Sequence, residues 1–257
     1  MRWFLDLAYD GTHFHGWQSQ PNALGVQAVL EEALSVIFRD KTPVTGAGRT
    51  DAGVHARRMY AHFDTVEPIV DKDKILLSLN RMAGKDIVIR DILAVRADAH
   101  ARFDALSRTY RYYVTSEKNP IASSYSWECR RALDVSRMNE AACMLLDVDD
   151  FTSFAKLHSD TRTNICNVSH AEWKYMESEG PGAGRSEMLV FTISADRFLR
   201  NMVRAVVGTL VEVGTGRMSL SQFREVIEKR DRCAAGTSMP AKALFLEEIV
   251  YPEAIFI

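Results

Sequence analysis

One carboxylate, one guanidinium and one hydroxyl lie among three glycines in Gly46-Ala47-Gly48-Arg49-Thr50-Asp51-Ala52-Gly53-Val54-His55-Ala56. Glycine lacks a Cβ, so such a run can turn tightly and bring its backbone close to a ligand. A phosphate-cradling loop would end in Lys-Ser/Thr, whereas this run holds an acid where phosphate would sit. What it can do is present Asp51 on a tight loop beside Arg49, the pairing a nucleophilic carboxylate needs. A solvated turn with a surface ion pair uses the same residue types, and the run alone leaves both open. A second cluster is Ser107-Arg108-Thr109-Tyr110-Arg111-Tyr112-Tyr113-Val114. Alternation predicts a strand over 107–116, with Arg108, Tyr110 and Tyr112 on one face and Thr109, Arg111 and Tyr113 on the other. Flat rings beside guanidinium groups suit stacking on a nucleobase, and equally an aromatic-rich solvated strand. A third is Arg197, Arg200 and Arg204, spaced to share one helix face.

Other chemistries lack their residues. His13 and His15 have no third ligand near them, and no His-Glu-x-x-His occurs, so no metal site is expected. Cys129, Cys143, Cys166 and Cys233 are far apart with no Cys-x-x-Cys pair, which predicts reduced thiols. The first strand ends in Asp10-Gly11-Thr12, but Ala8 occupies the place where a phosphatase would carry its nucleophilic Asp.

The elements that must position these residues follow from periodicity. Residues 2–9 read as a strand ended by the Asp10-Gly11-Thr12 turn. A polar-aromatic stretch follows, with Phe14, Trp17 and Gln18, that has no helical period. Val26, Val29, Leu30, Ala33, Leu34 and Ile37 mark a helix capped by Gly25, with Glu31 and Glu32 off the apolar face. After the Asp51 loop come a strand near 57–64, a helix with Asp71 as cap, and a strand from Ile87 to Val95. A second series repeats this order. Asp134 caps a helix bearing Met138, Ala141, Ala142, Leu145 and Leu146, and Thr163–Tyr175 pairs with Met188–Ala195 across the turn Glu179–Arg185. A helix through Phe198, Met202, Val203, Val206, Val207 and Leu210 follows, then one opened by the capping box Ser219/Gln222. The chain is expected to divide into 1–105 and 106–257.

The 257 residues are 47% hydrophobic and 26% charged, enough for one large core or two ordinary domains. No apolar run is long enough to span a membrane, and the N-terminus has no secretion pattern, so the expected compartment is the cytoplasm. The net charge of −2 is unlike a strongly basic nucleic-acid binder. Its positive share, however, is 23 Arg against 9 Lys, weighted toward the group that takes phosphate bidentately and stacks on bases. Arg57, Arg58, Arg102 and Arg108 flank the candidate strands in short clusters.

The run Gly48-Arg49-Thr50-Asp51-Ala52-Gly53-Val54-His55-Ala56 closely resembles the catalytic signature of the tRNA pseudouridine synthase A family. So do Tyr9-Asp10-Gly11-Thr12-x-Phe14-x-Gly16-Trp17-Gln18-x-Gln20, the Arg-x-Tyr-x-Tyr strand, Asp150–Phe154, the Phe198–Gly208 segment and the closing strand Leu244–Tyr251. Two departures stand out. Ala243 replaces an expected Gly, and Asp147 and Asp149 precede Asp150 where a Gly and a less acidic residue are expected. The resemblance implies the α+β pseudouridine synthase fold, two related ferredoxin-like halves with a joined antiparallel sheet, flanking helices and an active site in the cleft between the halves. It implies that uridine in the anticodon stem-loop of tRNA is isomerised at three consecutive positions, by a homodimer, with no cofactor and no metal. Residue by residue, it makes Asp51 catalytic, Arg49 and Arg204 its supporting guanidinium groups, Tyr110 the ring facing the uridine and Leu244 the apolar wall beneath it. Phe14, Trp17, Gln18, Arg57, Arg58, Arg102 and Arg108 become candidate RNA contacts. A non-catalytic RNA-binding module on the same sheets is the alternative, and it has no need of an acid among the glycines.

Overall fold

The computed structural model describes residues 1–157, 162–180 and 184–257. Two compact units emerge, Met1–Ser107 together with Leu246–Ile257, and Arg108–Phe245. The expected boundary near residue 105 is close to the first crossing. The closing strand, expected wholly in the second half, instead returns the chain to the first unit at Leu246.

In the first unit the chain runs β1 (Arg2–Tyr9), α1 (Val26–Phe38), β2 (Thr45–Gly46), β3 (His55–Asp64), α2 (Lys72–Met82) and β4 (Ile87–Val95). Strand β1 lies between β3 and β4, antiparallel to both, with Leu7 opposite Met59 and Asp6 opposite Tyr60. Alternation sends Trp3, Leu5 and Leu7 to one face with Met59, Ala61 and Phe63, all buried. Phe38 at the end of α1 meets Phe63 there (5.9 Å). The opposite face carries Phe4, Asp6, Tyr60 and His62. Tyr251 packs onto it against Phe4 (5.4 Å) and Tyr60 (5.2 Å), and Phe256 against Phe4 (6.2 Å). As expected, Asp71 caps α2, accepting from Lys74 N.

The second unit continues with β5 (Ser107–Thr115), β6 (Trp127–Glu128), α3 (Val135–Cys143), β7 (Val168–Gly180), β8 (Gly184–Ala195), α4 (Met202–Gly214) and α5 (Leu220–Lys229). The last strand, β9 (Leu244–Val250), carries the chain back. Strand β8 lies between β5 and β7, antiparallel to both. Residues 181–183 of the expected hairpin turn lie outside the described residues. Asp134 caps α3, and the Ser219/Gln222 capping box opens α5, as the sequence predicts. Helix α3 packs on α4 and β7, and Asn139 brackets Trp173 by giving to its carbonyl (3.0 Å) and taking from its N–H (2.7 Å). Helices and mainly antiparallel strands in both units make the fold α+β.

Two expectations fail locally. Helix α4 begins at Met202, not Phe198, because Asn201 adopts a left-handed conformation (φ 66°) that interrupts any helix. Arg197 and Arg200 therefore precede the helix and share no helical face with Arg204. Tyr112, placed by alternation beside Tyr110, is fully buried and donates to the Pro240 carbonyl (3.1 Å).

Candidate active site

The Asp51 loop is built by clamping a turn from both sides. Asp51 O accepts from Val54 N (3.1 Å), closing a turn in which Gly53 takes φ +76°. The segment between β1 and α1 lies against this turn. Trp17 N donates to Thr50 O (3.2 Å), Gly53 N donates to Phe14 O (3.2 Å), and the Thr50 and Tyr9 hydroxyls share a buried hydrogen bond (2.9 Å). Asp51 thus stands between two residues whose backbones are tied to a second segment, while its own side chain stays half-buried.

Two glycines permit the approach. An ideal Cβ on Gly16 (φ +91°) would sit 2.3 Å from Thr50 O, and one on Gly11 would sit 2.1 Å from Val54 O. No L side chain fits either position without moving the loop. Gly11 N also donates to Nδ1 of the buried His55 (3.0 Å). The segment is held in turn by α1, whose first amides have no partner inside the helix. Val26 N and Gln27 N donate to Gly16 O (3.2 Å) and Trp17 O (2.9 Å). On the same helix Gln27 and Glu31 grip Val44, which leads into the loop. Gln27 Nε2 donates to Val44 O (3.0 Å) and Val44 N to Glu31 Oε1 (3.0 Å).

The first unit brings Asp51, Arg49, Phe14, Trp17 and Gln18 into this one assembly, but not all in the expected roles. Phe14 (6% exposed) and Trp17 (2%) are buried, Trp17 with its indole over Gly46 and 6.1 Å from Tyr9. They support the loop as packing residues and offer no face to RNA. Gln18 and Arg49 are exposed.

Arg58, though exposed, also has a partner within the first unit. Its Nε and Nη2 donate to Oδ2 of buried Asp6 (3.1 and 2.8 Å), and the guanidinium lies 5.3 Å from the Tyr60 ring. Tyr60 OH donates to the same oxygen (3.3 Å), and burial, with the Asp6 charge, pushes that hydroxyl up to about 12. Arg58 neutralises a buried carboxylate through Nε and Nη2, with its side chain still 44% exposed. Arg57 is exposed and pairs with Glu247 (3.2 Å). Arg102 is exposed over the Phe103 ring (5.7 Å).

In the second unit Tyr110 is half-buried with its ring edge-on to Phe198 (5.0 Å). Arg108 Nη1 donates to Asp196 O (2.6 Å). Arg204 sits in the first turn of α4 with Nε donating to Met239 O (2.6 Å), while Met239 N donates back to Arg204 O (3.1 Å). That reciprocal pair fixes the stem of the side chain. Leu244 is buried at the start of β9.

Sequence reasoning missed Tyr9, His55, Gln27 and Glu31 as supports of the loop. An i,i+4 pair of polar residues on an otherwise apolar helix was the available signal for the last two. Among the described residues no three His, Cys, Asp or Glu side chains are grouped to hold a metal ion, and no helix is long and apolar enough to cross a membrane.

Comparison with known proteins gives this assembly its context. A sequence profile described as tRNA pseudouridine synthase matches residues 7–104 and 141–252. Relatives called tRNA pseudouridine synthase A align over almost the whole chain. The protein from Bacteroides thetaiotaomicron is 55% identical over 255 residues, covering 99% of this chain and 92% of its own. That from Bacteroides fragilis is 52% identical, covering 99% and 98%, and that from Porphyromonas gingivalis is 51% identical, covering 100% and 99%. The chain belongs to the tRNA pseudouridine synthase family.

Proposed function

We propose that this chain isomerises uridine to pseudouridine at three consecutive positions of the tRNA anticodon stem-loop, acting as a homodimer in the cytoplasm with Asp51 as its catalytic carboxylate. The reaction breaks the C1′–N1 glycosidic bond, turns the freed uracil and joins C5 to C1′. N1 gains the proton that C5 gives up, so no redox partner is required. The target base first leaves its stack, at a cost of about a few kcal/mol. Asp51 either attacks C1′ or promotes loss of the 2′ proton. Tyr110 serves as the ring that faces the uracil, Leu244 as apolar wall, and Arg49 and Arg204 as the guanidinium groups that support the carboxylate. Gln18, Arg57, Arg58, Arg102 and Arg108 are the candidate RNA contacts.

The observation that carries this proposal is the doubly clamped turn around Asp51. A loop held by hydrogen bonds on both flanks keeps its carboxylate in one place, which positional catalysis demands. Tritium release from tRNA carrying uridine labelled at C5 tests the proposal. Release by the wild-type chain that disappears in Asp51→Ala, with tRNA binding retained, supports it. Binding without release by the wild type would leave the chain a non-catalytic RNA-binding module.

A further inference from the structure

A line of aromatic rings runs from the core of the first unit to its surface. Phe4 stacks with His62 (6.2 Å, 25°), His62 meets His100 edge-on (4.6 Å), and His100 lies against Phe103 (4.3 Å, 34°). Phe4 is fully buried and Phe103 is 74% exposed. Burial, with Arg2 nearby, lowers the pKa of both histidines, that of His62 to about 4, so both rings are neutral at pH 7.

The loop bearing Phe103 is tightly ordered. Ala101 N donates to His62 Nδ1 (3.1 Å), His100 N to Asp104 Oδ2 (2.7 Å) and Arg102 N to His100 Nδ1 (3.1 Å). Arg2 Nη1 and the Tyr251 hydroxyl donate to the carbonyls of Ala99 and Ala101. An exposed phenylalanine on a mobile tip would be unremarkable. Here a fixed backbone and a ring packed beneath hold Phe103 in water, with the Arg102 guanidinium 5.7 Å from its centroid.

We propose that Phe103 is a stacking platform for an unpaired base of the tRNA substrate, with Arg102 alongside it. This rests on the tRNA reading above. A flat ring backed by a second ring, beside a cation, matches the chemistry of a nucleobase and its phosphate. A protein surface would ask only for apolar volume, and that difference supplies the test.

The full chain is compared with Phe103→Leu and Phe103→Trp for affinity toward an unmodified tRNA transcript, melting temperature and sedimentation. Leu keeps apolar bulk without a ring, so affinity should fall roughly tenfold to a hundredfold. Melting temperature should hold, because the side chain is largely in water. Trp should keep wild-type affinity, and its added fluorescence should be quenched when tRNA binds. Wild-type affinity in Phe103→Leu overturns the proposal. So does a change in oligomeric state without loss of tRNA affinity, which would make the ring a protein contact. Absence of both tRNA binding and tritium release in the wild-type chain would instead defeat the tRNA reading on which the proposal stands.

Discussion

Gly16→Ala puts the clamp on Asp51 to its hardest test. The added Cβ would lie 2.3 Å from Thr50 O, while ordinary van der Waals contact begins at 3.4 Å. The obstructing atoms are backbone, so no rotamer change relieves them. Either the Gly16 segment or the Thr50–Asp51 peptide must move by about 1 Å, and a displacement of that size at a catalytic group costs roughly 10²-fold in rate. The φ of +91° adds strain of about 1–3 kcal/mol for any L side chain. In a chain of this size each kcal/mol lowers the melting temperature by about 2–4 °C. The assay is single-turnover pseudouridine formation at saturating tRNA, with tRNA affinity measured separately. Rate should fall about a hundredfold, and affinity should change little. Gly48→Ala is the control from the same loop, since a Cβ there meets nothing within 4 Å. It should keep the melting temperature and most of the rate. A Gly16→Ala enzyme as fast as wild type, or a Gly48→Ala enzyme equally slow, would refute the clamp.

Other outcomes follow from the same contacts. Asp51→Ala should lower turnover by roughly 10³ or more with tRNA binding intact, checked by tritium release and filter binding. Arg58→Ala leaves the Asp6 carboxylate buried without its cation. Loss of a buried pair costs about 3–5 kcal/mol, and because the Arg58 side chain is 44% exposed a smaller cost of about 1–3 is expected, read as a lower melting temperature. Arg57→Ala, at an exposed pair, should hardly alter stability and should flatten the log–log salt dependence of tRNA binding by about one counterion or a little less. His62 has a folded pKa near 4, below the ordinary 6.5, so the unfolded chain binds its proton first as pH falls. Its contribution to stability is present above about pH 6.5 and is lost as pH drops toward 4. His62→Asn, which keeps an acceptor for Ala101 N, should show a flatter fall of melting temperature across that window.

The tight turn around Asp51 was legible because its residues are local. Asp51, Arg49 and the glycines are contiguous, so one window shows the tight turn, while the run alone leaves its role open. The caps at Asp71, Asp134 and Ser219 were legible for the same reason. What resisted reading depends on side-chain direction across long separations. Phe14 and Trp17 look like contacts waiting for RNA, and only the folded loop shows both rings buried, that of Trp17 against Gly46. Arg58 looks like half of a basic pair with Arg57, yet its partner Asp6 is 52 residues away on the neighbouring strand. The Arg197, Arg200 and Arg204 stripe fails through one backbone angle at Asn201, a residue that adopts left-handed geometry more readily than most. Periodicity cannot register that break.

The return of Leu246–Ile257 to the first unit sets the order in which the protein can mature on the ribosome. Tyr251 and Phe256 cover Phe4 and Tyr60, and Arg96 N donates to Ile255 O, so part of the first unit's sheet has no lid until this segment emerges. The 138 residues of Arg108–Phe245 are translated in between. At about 5–20 residues per second this takes roughly 7–28 s, in which the nascent sheet keeps an uncovered aromatic face while the second unit is still being made. The N-terminal unit starts first and is completed last. Coverage of those rings should therefore follow emergence of Tyr251 rather than of Ser107.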